Sequence, residues 1–296
     1  MKVGIIGAPV DLGQDRRGVD MGASAIRYAG LEAKLRESGH DVRDFGNIPA
    51  PVAESEDTGS PNLKYLAPIV ATCEQLANVV SETMEAGYLP VVLGGDHSIS
   101  LGSVAGITRH RSVGIIWIDA HGDFNVPSSS PSGNIHGMVL AALTGKGDER
   151  LVGLDGRQPK VEPQNVAMVG TRELDDGERR LLRSSGVQVY TMHDIDRMGL
   201  PAVIELVLDR MDSNLDGLHI SLDLDVVDPL QAPGVGTPVL GGLSYRETHL
   251  ALELIAASGR VVSMDVVEVN PVLDTHNETA RLAVEFSLSA LGKRIY

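Results

Sequence analysis

Asp119-Ala-His-Gly-Asp123 brings three potential metal-binding side chains together directly after the apolar run Val113–Ile118. Such a short apolar run predicts a β-strand that is buried on both faces of a sheet. Because side chains alternate along an extended chain, we expect Asp119, His121 and Asp123 to point to the same side. Burying like charges together is costly unless a cation compensates them. The stretch therefore predicts a metal site at the end of a buried strand.

Three other mostly apolar runs end in polar side chains of the same kind. They are Pro90–Leu93 followed by Gly-Gly-Asp96-His97, Leu218–Leu222 followed by Asp223 and Asp225, and Val261–Val267 followed by Glu268. Asp223 and Asp225 are two residues apart, so they share one face of an extended segment. In open parallel α/β sheets, ligands bind at the edge formed by the carboxyl ends of the strands. Polar chemistry thus recurs where such a sheet would place a binding site.

Strand and helix patterns alternate from one end of the chain to the other, which predicts an α/β protein with a parallel sheet and helices on both faces. Strands are predicted near 2–7, 41–45, 90–94, 113–118, 166–170, 187–191, 217–224 and 261–268. Helices are predicted near 24–38, 65–86, 98–109, 135–144, 176–185, 200–212, 244–257 and 277–291. The polar stretches Ala50–Pro61 and Val126–Gly133 are predicted surface loops.

The composition narrows the classes of function. The chain has 296 residues, of which 43% are hydrophobic and 3% aromatic, enough for one large α/β domain or two small ones. Its net charge of −15 argues against nucleic acid as the main partner and suits a cationic ligand. Cys73 is the only cysteine, which excludes an intramolecular disulfide and a cysteine-based zinc site. With no signal peptide or membrane-spanning stretch in the pattern, we expect a cytoplasmic location.

The polar strand ends supply six candidate metal ligands, namely His97, Asp119, His121, Asp123, Asp223 and Asp225. Four carboxylates and two imidazoles are too many for one tetrahedral zinc, and they fit two divalent ions that share bridging carboxylates. Oxygen-rich ligation without thiolates favours manganese over zinc, although affinity alone would not exclude cobalt or nickel. A pair of such ions lowers the pKa of a bound water, so the chemistry indicated is metal-assisted hydrolysis.

Each motif also has a structural interpretation when it is taken alone. An Asp-x-Asp pair at a strand end is commonly a turn or a helix cap, and Asp96 with Ser98 could cap the next helix. The presence of three such motifs at one predicted sheet edge favours the metal site.

Gly94-Gly-Asp-His97, Asp119-Ala-His-Gly-Asp123 and Ser221-Leu-Asp-Leu-Asp225 resemble the metal signatures of the ureohydrolases. This superfamily includes arginases, agmatinases and formiminoglutamases, and several further segments are similar to arginases in particular. Those segments are Asp123–Asn125, Ser132–Gly137, Tyr190–Arg197 and Gly236–Glu247. Val226 and Ala23 depart from the family pattern, where glycine and proline are usual, but neither is an expected ligand.

The resemblance implies a single arginase-like catalytic domain over residues 1–296, with three α/β/α layers and a parallel sheet of about eight strands. It implies two Mn²⁺ ions per subunit. One ion would be held by His97, Asp119, Asp123 and Asp223, and the other by Asp119, His121, Asp223 and Asp225. A homo-oligomer, either a trimer or a hexamer, is also implied.

Three residues acquire catalytic roles from the same resemblance. Asp123 would donate a proton to the leaving amine, and Glu268 would pair with the substrate guanidinium, a geometry that carboxylates favour. His136 lies in a predicted helix start beside the site and could shuttle protons. Without the resemblance, His136 would be interpreted as an exposed histidine of that helix.

Substrate specificity is expected in the loops. The candidate contacts are Asn125, Ser132 and Asn134 for an α-carboxylate, Asp175 and Glu178 for an α-amino group, and Thr237 in the pocket wall. Asp175 and Glu178 could instead form only the acidic first turn of a helix, where their negative charges would interact favourably with the positive end of the helix dipole. Thr237 could instead belong only to the turn before Pro238.

These observations together favour hydrolysis of L-arginine to L-ornithine and urea, with a small-molecule substrate and neither a nucleic acid nor a membrane as partner. The alternative enzyme is another ureohydrolase, such as an agmatinase or a guanidino-acid hydrolase. A non-catalytic metal-binding regulator and a dinuclear phosphoesterase are weaker alternatives. No evident Arg or Lys phosphate clamp lies near the ligand motifs, which disfavours the phosphoesterase.

Overall fold

The computed structural model describes residues 1–294 and is built around an eight-stranded parallel sheet. The strands are β1 Lys2–Ala8, β2 Asp41–Asn47, β3 Gly59–Ser60, β4 Leu63–Lys64, β5 Leu89–Gly94, β6 Val113–Ile118, β7 Val166–Thr171, β8 Gln188–Thr191, β9 Gly217–Asp223 and β10 Val261–Val267. The order across the sheet is β2-β1-β5-β10-β9-β6-β7-β8. β3 and β4 form a separate antiparallel pair.

Helices connect the strands and cover both faces of the sheet. They are α1 Gly22–Tyr28, α2 Leu31–Glu37, α3 Leu66–Glu85, α4 Ser100–Thr108, α5 Val139–Leu143, α6 Glu149–Val152, α7 Asp176–Arg183, α8 Met192–Met198, α9 Leu200–Arg210, α10 Tyr245–Ala257 and α11 Glu278–Ala290. None of the helices within residues 1–294 is both long and apolar enough to cross a lipid bilayer.

The alternation of side chains along β6 shows how the sheet divides two cores. All six residues of β6 are buried. Ile116 and Ile118 pack into the core beneath α1, α2 and α8–α11, whereas Ile115 and Trp117 pack into the core beneath α3–α6. A strand buried on both faces is expected to be mostly apolar, and the run Val113–Ile118 contains no polar residue. The predicted three-layer α/β/α architecture is therefore confirmed.

The eight predicted strands of the sheet are confirmed to within a few residues, but the chain between them contains more structure than expected. The helix predicted at 24–38 is two helices, because Gly30 adopts φ 91° and ends the first one. The predicted loop Ala50–Pro61 contains a 3₁₀ turn at Ala53–Ser55 and the strand β3. The short helices α6 and α8 have no counterpart in the prediction. Cys73 is buried in α3, as expected.

Four neighbouring strands at the centre of the sheet carry the polar motifs. β5, β10, β9 and β6 lie side by side, and all of them run in the same direction. Their carboxyl ends therefore meet along one stretch of the sheet edge, although β10 and β5 are far apart in the sequence. This order of strands is what brings the four motifs together.

Candidate active site

The six candidate metal ligands converge at the carboxyl edge of the four central strands. We call this set the floor of the site: His97, Asp119, His121, Asp123, Asp223 and Asp225. Most of these side chains are almost inaccessible to solvent, from His97 at 0% to Asp123 at 5% exposure, and His121 is partly exposed. The strands place these groups, and the short turns that follow each strand aim them.

The first group within the floor surrounds one ring nitrogen of His97. The Nδ1 atom lies 3.1 Å from Asp119 Oδ2, 3.1 Å from Asp123 Oδ2 and 3.3 Å from Asp223 Oδ2. His97, Asp119 and Asp223 offer ligand atoms close enough together to hold one metal ion. The structure thus brings together all four residues expected at the first ion.

The second group shares Asp119 with the first. His121 Nδ1 lies 2.9 Å from Asp225 Oδ2 and 3.6 Å from Asp119 Oδ1. These three residues form a second set that could hold a metal ion. Since Asp119 uses Oδ2 toward the first group and Oδ1 toward the second, its carboxylate is positioned between the two.

The turns after β6 and β9 gather these side chains differently from the expected alternation. Residues 119–123 are not extended, and Asp123 adopts φ 47°, in the left-handed region that favours glycine. Asp119 Oδ1 instead accepts the His121 N–H at 2.7 Å, and Asp223 Oδ1 accepts the Asp225 N–H at 2.8 Å. Carboxylates that bond to the backbone two residues ahead form tight turns. The expected convergence is correct, but its expected cause was wrong.

The electrostatics of the floor favour a cation. Burial, followed by repulsion from Asp225 and Asp119, raises the pKa of Asp223 well above its ordinary value. Burial and repulsion from Asp119 raise the pKa of Asp123 to about 6. Four carboxylates therefore share a buried space with only two imidazoles. Oxygen and imidazole donors of this kind fit divalent ions such as manganese, whose charge would offset the repulsion.

Glu268 lies next to the floor with its carboxylate held from three directions. Oε1 accepts the His97 backbone N–H at 2.9 Å and lies 3.0 Å from His136 Nδ1, while Oε2 accepts from Gln14 Nε2 at 2.5 Å. Glu268 itself adopts φ 65°, a strained conformation for a residue other than glycine. A carboxylate has about four acceptor sites, so Oε2 keeps acceptor capacity beyond the bond from Gln14. Glu268 is only 1% exposed and is not among the residues that line the cavity above the floor.

His136 is located between Glu268 and the cavity. It lies in the 3₁₀ helix Ile135–Met138, and its backbone N–H donates to the Gly13 carbonyl at 3.1 Å. Burial lowers the pKa of His136, but the hydrogen bond and charge of Glu268 outweigh it and raise the pKa to about 9. Its side chain is 17% exposed, so it contacts both Glu268 and the solvent side of the site.

A cavity of about 470 Å³ opens above the floor. All six predicted substrate contacts line it, and we call this set the rim: Asn125, Ser132, Asn134, Asp175, Glu178 and Thr237. Asn125 Nδ2 donates to Asp175 Oδ2 at 2.9 Å, and Thr237 Oγ1 donates to Asp225 Oδ2 at 3.3 Å. The floor residues His121, Asp123, Asp223 and Asp225 also line the cavity.

Glu178 connects the rim to the floor. It lies in the predicted acidic first turn of α7, and its Oε2 accepts the Asp175 N–H at 3.2 Å. Its Oε1 accepts the Phe124 N–H at 2.7 Å, directly after Asp123. Glu178 therefore forms part of the acidic first turn of a helix and also lines the cavity. Burial raises its pKa to about 7.

Two residues near the site were missed by the sequence analysis. Gln14 contacts Glu268 from the loop after β1, and a glutamine in a loop carries no recognisable signal. Arg172 donates to the carbonyls of Asp225 at 2.6 Å and Val239 at 2.7 Å, and so fixes the segment that carries part of the floor and the rim. A charged residue directly after the buried strand β7 could have identified Arg172.

Comparisons with known proteins agree with this geometry. The model of the Arginase family matches residues 1–292. An arginase from Bacillus subtilis (strain 168) is 52% identical, covering 99% of this chain and 98% of the relative, and an arginase from Brevibacillus brevis is 51% identical, covering 98% of each. The crystal structure of an arginase from Bacillus caldovelox superimposes with a TM-score of 0.96 at 47% identity, covering 99% of each chain. The chain therefore belongs to the arginase family.

Proposed function

We propose that this protein hydrolyses the guanidinium group of L-arginine, producing L-ornithine and urea. The observation that carries the proposal is the position of Asp119 between two groups of metal-ligand atoms at the bottom of the cavity. Relatives of this chain that share about half of its residues are named arginases. A guanidinium cation is a poor electrophile, so its hydrolysis requires an activated nucleophile and a site that tolerates positive charge.

The floor would hold two Mn²⁺ ions. His97, Asp119, Asp123 and Asp223 would bind one ion, and Asp119, His121, Asp223 and Asp225 the other. When bound, such a pair supplies a nucleophile from water near neutral pH and stabilises negative charge that develops on the substrate. The four carboxylates would balance the charge of two dications.

Glu268 would orient the guanidinium above the floor. Its carboxylate cannot rotate freely, because Gln14, His136 and the His97 backbone N–H hold it. A fixed carboxylate selects the planar donors of a guanidinium by geometry as well as by charge. Substrate orientation by such a group lowers the entropic part of the barrier.

Proton transfer would involve Asp123 and His136. Asp123 faces the cavity and, as the more accessible carboxylate of the first group, would deliver a proton to the departing amine. His136 lies at the cavity wall with part of its ring exposed and would exchange protons with solvent. General acid–base groups of this kind typically contribute 10²- to 10⁴-fold each.

The rim would distinguish arginine from other guanidino compounds. Asn125, Ser132 and Asn134 provide uncharged donors for the α-carboxylate, while Asp175 and Glu178 provide negative charge for the α-amino group, and Thr237 forms part of the wall. We also infer a single catalytic domain over residues 1–296, a trimeric or hexameric assembly, and a cytoplasmic location.

A urea-release assay tests the function directly. The purified chain, freed of metal with a chelator and reloaded with manganese, should release urea from L-arginine and lose this activity again on chelation. Agmatine, guanidinobutyrate and formiminoglutamate are the comparison substrates. Preference for agmatine or guanidinobutyrate would replace the arginase proposal with the broader ureohydrolase one. Tight manganese binding without hydrolysis of any of the four would favour the metal-binding regulator.

A further inference from the structure

A buried chain of polar side chains extends from the floor into the sheet. His97 Nε2 lies 2.8 Å from Ser221 Oγ on β9, and Ser221 Oγ lies 3.2 Å from Ser100 Oγ at the start of α4. Ser100 Oγ donates to Asp265 Oδ2 on β10 at 2.7 Å. All four residues have 0% solvent exposure. We call Ser221, Ser100 and Asp265 the serine relay.

The relay has one consistent direction. His97 Nδ1 faces three carboxylates at 3.1–3.3 Å, so its lone pair is the one available to a metal ion. The ring proton must then be on Nε2, which donates to Ser221. Because the hydrogen of Ser100 is used on Asp265, the hydrogen of Ser221 points to Ser100. Each hydroxyl therefore accepts from one neighbour and donates to the next, and the chain ends on a carboxylate.

A carboxylate in the middle of a buried, mostly apolar strand needs an explanation. Asp265 is completely buried within β10, where its Oδ2 accepts from Ser100 and Ser103 and lies 3.2 Å from His219 Nε2. His219 is in turn 3.0 Å from Ser263 Oγ. Burial of an ionised carboxylate is costly even with several donors. An apolar residue would fill a strand interior more favourably, which indicates a role beyond packing.

We propose that the serine relay is a positioning device that sets the ring orientation and proton location of His97, so that Nδ1 stays ready for a metal ion. This inference rests on the proposed function, because it assumes that the floor binds ions. Ligand histidines commonly donate their second N–H to a carboxylate, and such outer partners affect metal affinity 10- to 100-fold. Here two serines transmit the same influence from a carboxylate that does not touch His97.

The chain offers a matched control for this relay. Ser103 lies one helical turn after Ser100 on α4, and its hydroxyl also donates to Asp265 Oδ2, at 2.6 Å. Both hydroxyls are fully buried and reach the same acceptor atom. Only Ser100 also contacts Ser221. Replacing either serine with alanine removes one buried hydrogen bond to Asp265, and Ser100→Ala also removes the contact with Ser221. Ser100→Ala should therefore lose at least as much thermal stability as Ser103→Ala.

The test is a manganese titration of the full chain after metal removal. Calorimetry and electron paramagnetic resonance monitor the binding of Mn²⁺ during the titration. Ser221→Ala and Ser100→Ala should each weaken Mn²⁺ binding about tenfold. The spin-coupled signal of a manganese pair should then appear only at correspondingly higher Mn²⁺ concentration. Ser103→Ala should retain wild-type affinity and the wild-type signal.

Equal affinities for Ser100→Ala and Ser103→Ala, or wild-type affinity for Ser221→Ala, would overturn the relay. The proposed function fails separately. A wild-type chain that binds Mn²⁺ but releases no urea from arginine would overturn the activity alone, and the affinities of the variants would still decide the relay.

Discussion

The floor and the rim of the site differ in how fully their polar groups are satisfied. On the floor, four carboxylates and two imidazoles meet with more negative charge than the imidazoles can balance. On the rim, Asn125 already bonds to Asp175, and both carboxylate oxygens of Glu178 accept backbone N–H groups. The floor therefore requires a ligand of defined charge, whereas these rim groups are satisfied without one. Asn134 Oδ1 is a buried rim atom that has no hydrogen-bond partner. The composition of the rim alone does not identify a substrate.

The largest effect that would sharpen this contrast is substrate discrimination by the rim. A site built to bond polar groups of a substrate rejects analogues that lack them, by 10⁴- to 10⁵-fold in favourable cases. We expect arginine to exceed agmatine in kcat/KM by about 10⁴-fold on this basis. Asn125→Ala should narrow the gap by lowering the value for arginine alone. Steady-state urea release from both substrates measures the ratio of the two kcat/KM values.

Comparable hydrolysis of the two substrates by the wild-type chain would contradict the role given to the rim. Loss of both activities in Asn125→Ala would indicate that Asn125 supports the floor instead.

The next largest effect concerns the floor itself. Asp119 contacts both groups of ligand atoms, so Asp119→Asn should impair both ions and lower kcat/KM by about 10³-fold, the scale of losing one preorganised electrostatic group. His97→Asn affects only one group and should cost about 10-fold less at saturating manganese. Metal content per subunit, measured with the activity, should fall further for Asp119→Asn. Equal, mild losses in the two variants would count against a shared carboxylate.

Sequence reasoning anticipated that the floor residues lie together, because strand burial and charge leave few alternatives. The apolar run before Asp119 has to be a strand, and carboxylates repeated at strand ends in a parallel sheet have to share an edge. The conformations of the turns after these strands could not be predicted from the sequence. The left-handed conformation of Asp123 and the backbone bonds of Asp119 depend on contacts that the spacing of residues does not reveal.

The remaining parts of the site depend on contacts between residues distant in the sequence. Gln14 and Glu268 are separated by 254 positions, and their contact exists only because β1 and β10 both flank β5. The rim was predicted from resemblance to a family, since its residues taken alone also fit a helix cap and loops. Asp265 did carry a signal, as a charge inside a mostly apolar strand, but its partners on α4 could not be inferred from the pattern.

Glu178 offers a pH-dependent effect that links the two regions. Burial raises its pKa from 4.5 to about 7, so the folded chain binds more protons than the unfolded chain between these pH values. Its contribution to the free energy of unfolding therefore falls as pH rises from 4.5 to 7. Glu178→Gln cannot titrate there. The free energy of unfolding of Glu178→Gln minus that of the wild type should therefore increase by about 1–3 kcal/mol from pH 5 to pH 8.

Urea unfolding of both proteins at pH 5 and pH 8, with equal manganese, gives this difference. Any constant loss from the altered hydrogen bond cancels between the two pH values. A stability difference that does not change with pH would show that Glu178 ionises normally in the folded protein.

The smallest expected effect tests whether the rim contacts a substrate at all. Asp175 lines the cavity, while the adjacent Asp176 points to solvent with a side chain that is 85% exposed. Asp175→Ala should raise KM for arginine about tenfold with little change in kcat, because a contact with the α-amino group is equal in the ground state and the transition state. Asp176→Ala removes the same charge from the same helix start and serves as the control.

The comparison between these two neighbours separates direct contact from long-range charge. If KM rises equally in both variants, the negative charge at the start of α7 attracts arginine without touching it, and added salt should remove the effect. Suppose that only Asp175→Ala raises KM for arginine, and that this variant hydrolyses agmatine as well as the wild type does. The higher KM for arginine then reflects a lost contact with a substrate group that agmatine lacks. Agmatine retains the amine but not the α-carboxylate. That result would therefore place Asp175 at the carboxylate through Asn125, to which it is bonded, and not at the amine. An equal loss for both substrates would instead assign Asp175 to the amino group, because that group is common to them.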